Sequence, residues 1–302
     1  MFVILIPAMS TRLLVSGFTF VRNALIYDYP VVEAITSILP VCDEFIVNAG
    51  DSDDDTLQLI QSIPSDKIKI VQSIWDKNLR TGGSVLAQQT NIALSHCTGM
   101  WCFYIQADEV AHEQYLPIIS EAVSTFAADN RIEGLLFKYL HFYGSYQYVG
   151  TSRRWYRNEV RIVRNNIGVY SYKDAQGFRI SGNRKLCVKP IHAYVYHYGW
   201  VKPPKVQQKK QRSFNKLWHP DEWVETYFGS CDEYDYHTID TLEPFTGTHP
   251  AVMHKRIESQ NWQFVHNPKK SSRNTSLKHR ILNHIEKLTD FRIGEYKNYK
   301  II

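Results

Sequence analysis

Apolar and polar positions alternate in blocks through roughly the first 130 residues. Residues 13–21 read as a strand, 31–39 as an apolar-rich helix stopped by Pro40, 44–48 as a second strand and 56–63 as a helix ending before Pro64. Residues 67–72 give a third strand, 84–96 a longer helix, and the run from Trp101 a buried strand. Strand, helix and strand in series imply right-handed crossovers and a largely parallel sheet. A further helix is predicted over 114–126, with Pro117 tolerated in its first turn. From Arg131 the texture changes. Residues 134–143 form a strand-like aromatic run, and 159–164 alternate charged and aliphatic residues as a half-exposed strand does. The second half therefore reads as α+β. With no repeats, low-complexity tracts or Gly/Ser linker, the chain reads as one compact unit with a C-terminal extension.

Chemistry concentrates at the ends of the predicted strands. Trp101-Cys102-Phe103-Tyr104-Ile105-Gln106-Ala107-Asp108-Glu109 is an apolar run tipped by two carboxylates. A central strand of an open α/β sheet delivers its carboxyl end to the ligand crevice, whereas the plainer reading is a solvated strand end. The second strand empties into Gly50-Asp51-Ser52-Asp53-Asp54-Asp55-Thr56, four carboxylates in five positions before a helix. One or two would favour the helix N-terminus. Four repel one another, so at least one is expected to be held by a ligand or a cation. Neither a Gly-rich phosphate fingerprint nor a G-K-[ST] motif is present, which argues against dinucleotide enzymes and P-loop phosphotransferases.

Further along, alternation in 191–200 puts Ile191, Ala193 and Val195 on one strand face and His192, Tyr194 and Tyr196 on the other. His197 is expected to begin the exit before Gly199. Arg153, Arg154 and Arg157 cluster with Trp155 and Tyr156, a composition suited either to gripping phosphate and stacking on sugar or to a solvated loop. Residues 200–216 carry six Lys and Arg and no acid, and 269–280 form a second basic window. These read as solvated helix faces or, functionally, as peripheral contact with an anionic lipid surface or a lipid-linked acceptor.

Composition bounds the alternatives. The 302 residues, 44% hydrophobic and 22% charged, describe an ordinary soluble globular chain. The apolar stretch 1–9 lacks a basic leader, and no window approaches the roughly 20 apolar residues of a membrane span, so a cytoplasmic protein is expected. Five widely spaced cysteines without a C-x-x-C pair encode neither a disulfide framework nor a zinc knuckle. The sequon Asn274-Thr275-Ser276 would matter only in a secretory compartment. A net charge of +5 without a recognised motif argues against nucleic acid as a partner.

Over roughly residues 13–200 the chain resembles the inverting family 2 glycosyltransferases of GT-A fold. Ser52-Asp53-Asp54-Asp55-Thr56 is similar to the family's S-x-D-G-T segment, and Gln106-Ala107-Asp108-Glu109 to its D-x-D-E motif. Asn23 and Glu33 fall where the early Asn and first-helix Glu are expected. Arg80-Thr81-Gly82-Gly83 with Gln88, Gln89 and Asn91 resembles the stretch leading to the D-x-D strand.

The resemblance implies a GT-A-like (Rossmann-like) α/β fold, a mostly parallel sheet flanked by helices with an α+β C-terminal extension. Residues 1–130 would form the nucleotide-sugar half, 131–200 the acceptor half, and 201–302 a helical extension. It implies metal-assisted transfer from a nucleoside-diphosphate sugar to a sugar, lipid-linked or polysaccharide acceptor, in a setting such as polysaccharide biosynthesis at the inner membrane face. Asp51, Ser52, Asp54, Arg80 and Gln106 would hold the nucleotide, Asp108 and His197 would hold Mn²⁺ or Mg²⁺, and Asp174 would be the base, with Glu159 second. Two departures stand out. Gln106 replaces the opening Asp, and the acids that normally precede the Ser are displaced at Gly50-Asp51. The alternatives are a noncatalytic nucleotide- or sugar-binding protein, an anionic-surface adaptor, and a nucleotidyltransferase on a related fold. The last would need a Gly-rich basic loop after the first strand, where residues 18–25 hold only Arg22.

Overall fold

The computed structural model describes residues 14–76, 78–268, 277–289 and 291–302. The apolar start 1–9, the Asn274-Thr275-Ser276 sequon and residues 269–276 of the second basic window lie outside the described residues. The first elements follow in the predicted order: β1 (Val15–Val21), α1 (Val31–Ile38), β2 (Glu44–Gly50), α2 (Thr56–Gln61), β3 (Ile68–Ser73), α3 (Ser84–Ser95) and β4 (Trp101–Tyr104). Their strands are all parallel, in the order β3-β2-β1-β4. On β4, Trp101 and Phe103 join the core that includes Ile35 of α1, while Cys102 and Tyr104 join the one with Ala93 and Leu94 of α3. A strand buried on both faces needs apolar residues at every position, hence the unbroken run.

Past β4 come β5 (Glu109–Ala111), α4 (Leu116–Thr125), β6 (Gly134–Tyr143), β7 (Ser145–Gly150), β8 (Asn158–Arg164), β9 (Val169–Tyr172), β10 (Gly177–Ile180) and β11 (Cys187–Trp200). β8 runs antiparallel to both β4 and β6, and β6 pairs parallel with β11. β9 and β10 form a separate hairpin. The remaining chain supplies α5 (Pro204–Asn215), α6 (Asp221–Phe228), β12 (Leu242–Pro244), α7 (His254–Glu258), α8 (Leu277–Thr289) and β13 (Lys300–Ile301). β12 adds to β7 and β13 to β11, so the chain after Trp200 rejoins the same sheet.

Three local expectations change. Residues 159–164 are buried throughout rather than half-exposed. The two arginines are satisfied inside: Arg164 donates to the carbonyls of Phe126, Ala127, Asp129 and Ile132, and Arg161 is ion-paired. β11 does not end at His197 but reaches Trp200, with a register shift against β6 between those residues. Finally, the basic run 200–216 is only in part a solvated helix face: Lys205 and Lys209 are exposed, while three other cations find partners within the chain. Lys202 is fully buried and donates to Asp28 O, Lys210 pairs with Asp108, and Arg212 pairs with Glu225 at 3.0 Å. No helix among the described residues is long and apolar enough to cross a membrane.

Candidate active site

The acid-tipped strand divides its two carboxylates. Beyond β4 a tight turn returns Glu109 N to Gln106 O at 3.0 Å, sending Glu109 inward. Its carboxylate accepts two bonds from Arg161, at 2.9 and 2.7 Å, one from Tyr139 Oη at 2.8 Å and one from Gln106 N at 3.1 Å. Both partners of this ion pair are wholly buried. Such a pair is costly to desolvate, and fully bonded it fixes geometry more than it adds stability. Here it fixes the turn that presents Gln106 and Asp108.

Asp108 is the carboxylate that reaches the cleft. β5 pairs antiparallel with β11, setting His197 opposite Glu109, and Tyr198 N donates to Asp108 O at 2.8 Å. This register brings His197 Nε2 to 3.8 Å from Asp108 Oδ1. From α5, Lys210 Nζ reaches Asp108 Oδ2 and Gly199 O, each at 3.0 Å. Burial opposes ionisation of Asp108, but the ammonium of Lys210 beside it outweighs burial and holds the carboxyl well below its usual range. Burial, reinforced by Lys210, lowers the Lys202 ammonium to about 7.

The protonation of His197 follows from its neighbours. His141 Nε2 lies 2.8 Å from Tyr156 O, a group that only accepts, so this nitrogen carries the proton. Burial and the nearby His197 push His141 far below its ordinary value, leaving it neutral with Nδ1 as an acceptor. His197 Nδ1, at 3.2 Å, must then be the donor. Burial also lowers the His197 pKa, so its Nε2 presents a lone pair toward Asp108.

A cavity of about 470 Å³ opens over this cluster. Asp108, His197, Lys210 and Gln106 line it together with aromatic faces from Tyr29, Trp75, Trp200, Phe214 and Trp218. Asp174 also lies on its wall, at the tip of the β9–β10 hairpin between Lys173 and Ala175, both non-glycine residues with φ near +60°. That conformation costs energy outside glycine, and it occurs here on both sides of one acid. Gln106 Nε2 donates to Ala175 O at 3.3 Å, tying the hairpin to the strand tip. Among the described residues no group hydrogen-bonds the Asp174 carboxylate.

The other residues chosen from sequence lie elsewhere. Asp51 binds Trp75 N and pairs with Arg22 at 3.4 Å. Ser52 Oγ accepts from Asn23 N at 3.0 Å, and Asp54 accepts from Ile26 N at 2.8 Å and from both the amide and hydroxyl of Thr56. Asp53 meets Asn23 and Arg22. The cation expected for this acidic loop is therefore Arg22, whose own side chain lines the cavity. Arg80 clasps Lys216 O, His219 O and Asp221 away from the cavity wall. Glu159 borders a second cavity of about 270 Å³ with Arg153, Arg154, Arg157 and Arg292. Sequence reasoning missed Lys210, His141 and Arg161. Lys210 looked like any member of a basic run, and buried strand charges carry no local signal.

The donor set fits a divalent cation in part. No group of three His, Cys, Asp or Glu among the described residues is arranged to hold a metal ion. Yet a Cβ added at Gly199 would sit 2.6 Å from His197 Nε2 and 2.7 Å from Asp108 Oδ2, so the missing side chain leaves a cradle between a lone pair and a carboxylate. The Lys210 ammonium stands beside it as a cation on the same oxygen. Two protein ligands with the remainder from phosphate oxygens and water is how hard divalent ions are commonly held.

No protein-family model matches the chain, and no curated protein does. Among solved structures it is similar to S. aureus TarS, at 16% identity and a TM-score of 0.39, over 66% of this chain and 38% of that one. It is also similar to the mannosyltransferase PcManGT from Pyrobaculum calidifontis in complex with GDP-Man and Mn²⁺, at 20% identity and a TM-score of 0.32, over 42% and 35% of the two chains. A third is glucosyl-3-phosphoglycerate synthase from Mycobacterium tuberculosis with Mn²⁺, UDP and phosphoglyceric acid, at 18% identity and a TM-score of 0.30, over 43% of each. The chain thus spans less than half the length of each of these proteins. At this distance no residue role passes from them to this chain.

Proposed function

We propose that this protein is a glycosyltransferase of the family 2, GT-A type that moves a hexosyl group from a nucleoside-diphosphate sugar to a hydroxyl acceptor with inversion. The observation that carries the reading is one aromatic-lined cavity with Asp108, His197 and Lys210 at its charged end and an unengaged Asp174 on its wall. Residues 1–130 would supply the donor-binding half and 131–200 the acceptor half, with α5 from the following segment closing the cavity. Gln106, anchored through its amide nitrogen, keeps its carbonyl oxygen for a ribose hydroxyl. The aromatic faces suit a base or the apolar face of a pyranose.

In this reading Asp174 takes the acceptor proton as the acceptor oxygen bonds to the anomeric carbon. The bond from that carbon to the diphosphate breaks, its electron pair leaves on the diphosphate oxygen, and attack from the opposite face inverts the centre. Asp108 and His197 would hold Mn²⁺ or Mg²⁺, which when bound neutralises charge on the departing diphosphate. Lys210 adds positive charge at the same end. A sugar, lipid-linked or polysaccharide hydroxyl would serve as acceptor.

A thermal-shift screen of nucleoside diphosphates and their sugars tests this. A ligand at a hundred times its Kd should add about 2.7 kcal/mol. Sugar release or transfer from the stabilising donor completes the case, stabilisation without turnover indicates a noncatalytic binding protein, and no shift from any nucleotide overturns the reading.

A further inference from the structure

Lys210 lies on the same carboxylate that a metal would use, at the oxygen nearest the Gly199 cradle. Its Nζ is 3.0 Å from Asp108 Oδ2, and the two side chains are 11% and 12% exposed. The ammonium is held on two further sides, by Gly199 O at 3.0 Å and by the face of Tyr29, whose ring centre is 5.0 Å away. Tyr29 also faces Lys202 Nζ, 4.7 Å from the same centre, so one ring lies against both lysine nitrogens. The charges facing Lys210 are thus Asp108 in favour and Lys202 against, with neutral His197 beyond the carboxylate.

This arrangement satisfies Asp108 without any ligand. A divalent ion entering the Gly199 cradle, whose nearest carboxylate oxygen is Asp108 Oδ2, competes with Lys210 for that oxygen, and a displaced Lys210 is a buried ammonium without its counter-charge. A diphosphate in the cavity changes the balance, because its oxygens offer Lys210 a new anionic partner.

We propose that Lys210 is a stand-in cation that makes metal binding conditional on the nucleotide: in the empty protein it occupies Asp108 and excludes a divalent ion, and on donor binding it passes to the diphosphate and frees the carboxylate. The inference rests on the glycosyltransferase reading and adds an order to it. Nucleotide and metal bind with strong mutual coupling, because each removes an obstacle to the other, and the coupling is the same whichever is added first. Lys210 acts on the metal through Asp108, so toward the metal it is a positioning residue, while toward the diphosphate it is a direct contact.

Isothermal titration calorimetry of Mn²⁺ with and without saturating UDP or GDP, on wild type, Lys210→Met and Lys210→Arg, tests the device without any turnover. Wild type is expected to bind Mn²⁺ at least roughly tenfold more tightly with nucleotide present. Lys210→Met should bind Mn²⁺ more tightly than wild type in the absence of nucleotide, again by roughly tenfold, and should lose most of the coupling. Lys210→Arg keeps the charge and should resemble wild type. Equal Mn²⁺ affinity of nucleotide-free wild type and folded Lys210→Met overturns the proposal, as does tight Mn²⁺ binding by wild type alone. If Lys210→Met does not fold, wild-type coupling decides: an absence of coupling while nucleotide still binds overturns the inference and leaves the transferase reading standing. Failure of either nucleotide to bind under any condition overturns both.

Discussion

Asp108 and Glu159 are both buried carboxylates bordering a cavity, and both have cationic side chains nearby, yet their surroundings prepare them for opposite work. Asp108 is met directly by Lys210 and stays ionised, inside a cavity lined by aromatic faces. Glu159 has an oxygen with no hydrogen-bond partner, and burial raises its pKa to about 8 despite Arg161, helped by the negative charges of Glu109 and Asp174. Three of the four arginines that border its cavity are engaged elsewhere. Arg153 and Arg292 bind Glu286, and Arg157 binds Glu295 and Glu286. What distinguishes the two cavities is therefore where the positive charge is already committed. An arginine cluster that looks made for phosphate in the sequence is a clamp on the C-terminal segment, whereas one lysine in a run of six sits on the acid that matters.

The contrast predicts effects of descending size. The largest is at the cleft: Asp174→Asn should lower transfer by roughly two to four orders of magnitude while leaving nucleotide binding nearly intact. Steady-state kinetics beside calorimetry measures both, and a parallel fall in donor affinity would move Asp174 from the acceptor to the donor or the fold. Next, Arg161→Leu strips Glu109 of its buried counter-charge and should cost about 3–5 kcal/mol in denaturant unfolding. A loss below about 1 kcal/mol would show that Tyr139 and the Gln106 amide suffice to hold Glu109.

The third prediction concerns Glu159 and pH. Its folded pKa of about 8 lies above the ordinary 4.5. Between those values the folded chain keeps a proton that the unfolded chain releases, so this residue erodes stability as pH rises through the window. Glu159→Gln should therefore gain on wild type from about pH 5 to about pH 8, by on the order of a few kcal/mol at the upper end, with transfer within a few fold of wild type. Thermal unfolding at both pH values checks it, and a difference independent of pH would refute the protonated state. The smallest effect belongs to Arg80. Its ion pair with Asp221 is largely exposed, so Arg80→Ala should change stability by about 1 kcal/mol or less and leave UDP affinity unaltered. A marked loss of UDP affinity would extend the donor site to that clasp.

How much of this could be read beforehand varies by residue. The β3-β2-β1-β4 half follows from local pattern, because a strand covered on both faces must be apolar along its length and helices must punctuate it. Asp108 was legible as a charge ending such a run, whereas Asp174 was singled out only through the family resemblance, and the positive φ of its neighbours is visible only in the fold. The mixed half was harder to read. Glu159 and Arg161 alternate with aliphatic residues like the outer face of an exposed strand; only partners on distant segments allow Arg161 and Arg164 to be buried, while Glu159 is buried with one oxygen unpaired.

The sequence by itself determined the α/β order, the parallel sheet edge and the delivery of one acid to a strand end, all properties set by side-chain periodicity within a few residues. Only the tertiary structure decided that Glu109 turns to Arg161 while Asp108 turns to Lys210, that His141 fixes the proton on His197, and that Asp51, Ser52 and Asp54 brace a loop. Those outcomes depend on pairings between charges far apart in sequence. Because burying a charge is costly, each goes to whichever opposite partner the fold brings within reach, and the local sequence does not specify that partner.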